Sequence, residues 1–222
     1  MNFSNCEYLK QEISHFKDCD STYEFDSCTV GHSKVRDVVI DNIHIQKCNA
    51  EDSRFTDVEL TFGSGIHDNQ VKNCKFQHLD ISHILINQNS IDKSSIVESY
   101  FLRNEMKTNL FREVKADDIS FATLQVGNNR FDDMELLAMN LLLTTFENNR
   151  YKDVVIDQAR IRKCRFVGEE VGNLKCSNAK FQDCNFADID FREATFDNCI
   201  FEACQFADCM YTTEQKKLFG VE

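Results

Sequence analysis

The 222-residue chain contains no proline at all and only seven glycines. Average usage at this length predicts roughly eleven prolines and about fifteen glycines. The deficit argues against a loop-rich fold with conventional turns, and it implies a backbone in which nearly every amide is needed as a donor. Long apolar runs are missing as well: nothing approaches the roughly eighteen residues of a membrane-spanning helix. The opening MNFSNCEYLKQEISHF lacks the charged-then-apolar layout of a signal peptide, so the expected compartment is the cytoplasm. Basic residues are outnumbered, 25 against 37 acidic, and the net charge of -12 disfavours direct nucleic-acid binding and anionic membrane surfaces. Eleven cysteines, an odd number without export features, do not read as a disulfide scaffold.

What is present is a period of five. In CNFADIDFREATFDNCIFEACQFADC, Phe186, Phe191, Phe196, Phe201 and Phe206 recur every fifth residue. Followed back from Tyr211 to Ile66, the frame meets large apolar residues throughout, apart from Ala116 and Cys176. Upstream it continues from Leu60 to Phe25 one residue out of phase, which places a one-residue insertion within residues 61–65, where Gly63 and Gly65 suit a small bulge. A second column lies two residues before each centre and favours small residues: Cys164, Ala179, Cys184, Ala194, Cys199, Cys204 and Cys209, with Ser53, Cys48, Ser33 and Cys28 upstream. Cysteine acts there as a small hydrophobe, the choice of a tightly packed interior.

A period of five belongs neither to a helix of 3.6 nor to a flat strand of 2. A chain burying two residues of each five must turn a corner at every unit. Four corners close a square coil of about twenty residues, stacked on the next at about 4.8 Å. Like then lies on like: Cys164, Cys184 and Cys204 form one ladder, and Phe166, Phe186 and Phe206 another.

On these residues the sequence resembles the pentapeptide-repeat family. The resemblance implies an all-β fold, a right-handed quadrilateral β-helix of about nine coils over residues 25–211, roughly 45 Å long at that spacing. Terminal caps are expected. At the C-terminal end (212–222), Thr212-Thr213-Glu214-Gln215 offers a capping box for a short helix with Leu218, Phe219 and Val221 as its apolar face. At the N-terminal end (1–24) two readings stand open: a helical cap from Ser4-Asn5-Cys6-Glu7 with Leu9, Ile13 and Phe16, or an irregular first coil centred on Phe3, Tyr8 and Ile13.

The sequence carries no phosphate-binding glycine loop, HExxH or CxxC motif. His67, His78 and His83 fall at outward positions on different corners, and the cysteine ladder is interior, so neither metal nor cofactor sites are expected and the chain is read as no enzyme. A filled rod offers faces and no cleft. One face stands out: Leu102, Ala122 and Leu142 follow the centres of successive coils, widened by Tyr100 and Leu143, with Val97 and Leu137 round the corner. Arg160, Arg162 and Lys163 continue that face, and Arg165 begins the next. An apolar patch beside a basic cluster suggests docking of a protein partner. The family resemblance adds a second expectation, an acidic rod that imitates duplex DNA and binds DNA gyrase or topoisomerase IV, as quinolone-resistance members do. Against it, acidic and basic residues interleave on every face and no long loop protrudes. The competing expectation is a scaffold or bacterial effector with no topoisomerase target. Homodimerisation through the C-terminal cap is a further family trait.

Overall fold

The computed structural model describes residues 2–4, 6–9, 12–18, 23–41, 43–61 and 65–221. Within them the chain is a parallel β-solenoid of about nine coils between Phe25 and Tyr211, with one short helix at its C-terminal end. Strands stack into sheets of eleven, nine and fourteen members running along the rod. The largest of these covers two adjacent faces, because strands such as Lys34–Asp41 and Ser95–Leu102 run through a corner before the later coils split them. Register follows the repeat: Ile66 pairs with Ile86, Ile86 with Met106, and Phe166 with Phe186.

Corners fall two residues after a centre, and among the described residues their backbone is left-handed except at Glu193, as at Asp57 (φ 53), Asn128 (φ 56) and Asn198 (φ 50). Asp and Asn tolerate this region better than other non-glycine residues, which accounts for their frequency there. At Gly168 (φ 64) an added Cβ would lie 2.5 Å from Asn148 Oδ1, so a larger residue at that corner would have to displace the Asn148 side chain. The corner amides donate to the next coil, Asp153 to Gly172 O (3.1 Å) and Leu143 to Arg162 O (3.1 Å). The residues following the small column donate backwards, Leu110 to Asn89 O (2.8 Å). A proline at either place would delete a bond, which explains its exclusion.

The first coil settles the N-terminal alternatives. Asn2–Ser4, Glu7–Leu9 and Glu12–Asp18 are strands paired with the second coil, so the described residues there form a first coil and no helix. The reason is stacking: Phe3 lies flat on Phe25, with centroids 5.0 Å apart, and the backbone of Ile13 pairs with Val35. Asn5, part of the capping-box reading, is outside the described residues. So are residues 62–64 of the inserted segment, but the register on either side records the extra residue: Asp41 pairs with Thr61, whereas Gly65 pairs with His44.

The small column has a second role that packing alone does not capture. Its backbone N–H groups take no part in the sheets, and the side chain one coil later accepts them. Ser33 N donates to Ser53 Oγ (3.1 Å), Cys28 N to Cys48 Sγ (3.3 Å) and Cys74 N to Ser94 Oγ (3.1 Å). Along one edge the column is asparagine at every coil, Asn69, Asn89, Asn109, Asn129 and Asn149, all buried. Asn69 Oδ1 accepts Cys48 N, and from Asn89 on each uses Oδ1 for both the N–H and the side-chain amide of the coil before; Asn129 Oδ1 thus receives both Asn109 N and Asn109 Nδ2 at 2.9 Å. The ladder ends on Glu169, whose Oε1 accepts from Asn149 Nδ2 at 3.2 Å. Glu169 is buried and its Oε2 has no hydrogen-bond partner. Burial pushes its carboxyl up to about 7, against the lowering effects of Tyr151 and Asn149.

The interior is not filled, contrary to the sequence expectation. An apolar lumen of about 660 Å³ runs along the axis from Phe3 and Tyr23 to Phe196 and Phe201. Packing is tight at the corners, where Val114, Ile119 and Val154 are completely buried, while the face centres Phe121, Phe131, Leu136 and Ile156 keep partial exposure. The four inward side chains of a middle coil are too short to meet across the axis. Only in the last coils, where every centre from Phe181 to Tyr211 is aromatic, do rings of adjacent faces touch, as in Phe186 against Phe191 (5.8 Å) and Phe196 against Phe201 (5.5 Å).

Helix Thr213–Phe219 closes the aromatic end. Thr212 and Gln215 form the expected capping box, Gly220 (φ 67) ends the helix, and Gln215 Nε2 donates to Phe191 O and Ala194 O, both at 2.7 Å. Phe219 stacks on Phe206 with centroids 4.6 Å apart.

Candidate interaction surface

Strand register brings most of the sequence-selected residues into two parallel rows. Tyr100, Ser120, Asn140 and Arg160 stack on successive coils, and Leu102, Ala122, Leu142 and Arg162 stack beside them. Corner residues Arg103, Thr123, Leu143 and Lys163 border the rows. Leu143 is the most exposed large apolar residue described, at 53%, with Tyr100 at 39% and Leu137 at 40%. Leu102 and Leu142 are half-buried. Val97 and Leu137 sit round the corner, where Asp117 and Asp157 stack in the same column and break the apolar surface. Arg165 lies on the eleven-stranded sheet, stacked between Thr145 and Asn185, and contributes to the basic edge without joining the rows.

Two features set this face apart. From residue 100 to residue 163 the two rows and the corner that follows them hold Arg103, Arg160, Arg162 and Lys163 and no carboxylate, in a chain of net charge -12, while Glu98 and Asp118 stand at the corner that precedes the rows. Elsewhere opposite charges pair between coils: Arg112 with Asp92 (2.8 Å), Lys72 with Glu51 (3.0 Å), Lys115 with Glu135 (2.8 Å) and Lys180 with Glu202 (2.8 Å). Second, Leu143 has φ 52. A leucine in the left-handed region costs about 1–2 kcal/mol relative to a permissive residue, and an exposed one recovers little of that by burial. The other described non-glycine residues at left-handed corners are small or polar, so the fold asks for the conformation at Leu143 but not for a leucine.

Of the three histidines, His78 lies between Asp57 (2.9 Å) and Glu98 (2.5 Å) on the coils before and after it. These two hydrogen bonds raise its pKa. Among the described residues no group of three His, Cys, Asp or Glu is placed to hold a metal ion, and no helix is long and apolar enough to cross a membrane. Sequence reasoning missed the exposed Ile200 and Met210 near the C-terminal end; both stand just before a centre, an outward position in the frame. It also missed Glu169, whose signal was the twenty-residue recurrence of asparagine that it interrupts.

No curated protein sequence matches the chain. Among solved structures, one similar chain is QnrB1, a plasmid-mediated fluoroquinolone resistance protein: 10% identity, covering 99% of this chain and 96% of that one, TM-score 0.40. Another is HetL, a pentapeptide repeat protein involved in heterocyst differentiation regulation from the cyanobacterium Nostoc sp. strain PCC 7120: 8% identity, 95% and 86% coverage, TM-score 0.43. A third is the pentapeptide repeat protein Rfr23 from the cyanobacterium Cyanothece 51142: 6% identity, 64% and 91% coverage, TM-score 0.28. The family model described as "Pentapeptide repeats (8 copies)" matches residues 175–209. The same five-residue unit, with its left-handed corner, continues upstream through the described solenoid, so the repeat that the family model recognises in residues 175–209 is the building unit of the coils before it as well.

Proposed function

We propose that this chain is a non-catalytic binding rod that docks a protein partner on the face running from Tyr100 to Lys163. Pentapeptide-repeat proteins are generally non-catalytic scaffolds, and the observation that carries the reading is the absence of carboxylates from the two rows and the corner that follows them. Leu143, Leu142 and Leu102 supply an apolar anchor, while Arg160, Arg162 and Lys163 favour a partner whose apolar contact is flanked by acidic residues. Leu143→Asn tests the reading because it separates folding from binding. Asparagine suits the left-handed corner, so stability should rise by about 0.5–1 kcal/mol in a urea melt, while a partner isolated on the wild-type rod should bind at least tenfold more weakly. Undiminished affinity for Leu143→Asn and for Arg162→Glu would sink the assignment.

The alternative, a DNA-like rod for gyrase or topoisomerase IV, draws support from the net charge. The pairing of carboxylates with lysine and arginine on successive coils works against a continuous negative stripe. A supercoiling assay decides it: the docking reading expects no inhibition of gyrase and no relief of fluoroquinolone poisoning at saturating protein.

A further inference from the structure

We propose that the lumen is a binding site for a linear aliphatic chain, such as that of a fatty acid, lying along the rod axis. Three observations converge. The lumen holds about 660 Å³ and is lined almost wholly by apolar side chains. Water is a poor occupant, because a buried water needs two to four polar partners and the axis offers scarcely any. The centres Phe121, Phe131, Leu136 and Ile156 leave apolar surface uncovered toward the axis, although the corner residues around them are completely packed. Finally, the space has one closed end. Rings of adjacent faces meet from Phe181 onward, and Phe219 covers Phe201 and Phe206, so a chain lying in the lumen would stop at the aromatic coils.

The shape selects the ligand class. Stacked square coils with filled corners leave a narrow axial space, which suits a flexible methylene chain and rejects a wide, rigid apolar body. Recognition is by burial alone, so affinity should grow with chain length.

The test titrates the full chain with cis-parinaric acid, a linear fluorescent fatty acid, and then displaces it. Saturable binding of one molecule per chain is expected, with hexadecanoic acid displacing the probe at least tenfold better than octanoic acid and cholesterol failing to displace it. Val126→Phe combined with Ile156→Phe fills the middle of the lumen and should weaken probe binding more than tenfold while raising the melting temperature of the free protein. Leu143→Asn, on the outer surface, should bind the probe as wild type does. Non-saturable binding, displacement by cholesterol, or retention of affinity in a folded lumen-filled variant would each overturn the proposal. If that variant does not fold, the cholesterol and chain-length comparisons on the wild-type chain decide.

Discussion

Replacing Glu169 by glutamine should remove a specific part of the pH dependence of stability. The carboxyl is buried, terminates the asparagine ladder through Oε1, and leaves Oε2 without a partner. Desolvation is the main cause of its rise from 4.5 to about 7, with Tyr151 and Asn149 acting in the opposite direction. Between these values the folded protein keeps a proton that the unfolded chain has lost, so stability falls as pH rises through the interval. At full titration the loss is about 3 kcal/mol. It is absent below pH 4.5, where both states are protonated, and complete above the folded value. Glutamine preserves the acceptor for Asn149 and carries no charge. Urea melts of both proteins from pH 4 to pH 8, compared as differences, isolate this group from the other carboxylates. The variant should match wild type near pH 4 and exceed it by about 3 kcal/mol at pH 8. A difference that stays constant across the range, or that favours wild type at high pH, would refute the account of Glu169 as a buried acid held near neutrality by desolvation.

Two other perturbations probe the architecture. Asn109→Leu removes the acceptor for Asn89 N and Asn89 Nδ2 and the donor to Asn129 Oδ1; stranding buried amides should cost about 2–5 kcal/mol in a denaturant titration, whereas a pure packing role would predict little change. Phe219→Ala uncovers the aromatic end and should cost about 3–5 kcal/mol, with hydrogen exchange accelerating first in strands Ile200–Glu202 and Gln205–Ala207 and least in the middle coils.

The solenoid follows from local rules that a sequence displays openly. A centre at every fifth residue, Asp or Asn two places later and no proline anywhere can be satisfied together only by a chain that turns at each unit, and stacking then brings Phe166 onto Phe186. The C-terminal cap was equally readable, since Thr212 and Gln215 answer each other within one helical turn. The stacking of Tyr100 and Leu102 in line with Arg160 and Arg162 was readable in outline because register maps position onto face. Its centre of gravity was not: Leu142 and Leu143 look alike in sequence, and only the corner conformation exposes the second.

Two features were decided by tertiary structure. Whether a column of small residues is packing or hydrogen bonding depends on what sits one coil away, and Asn109 becomes an acceptor only because Asn89 presents its amide beneath it. Whether the rod is full or hollow depends on four side chains meeting across an axis. Their lengths are written in the sequence, but the distance they must span is set by the closed coil, and in the middle of this rod it is greater than Ala116, Phe121, Val126 and Phe131 can cover.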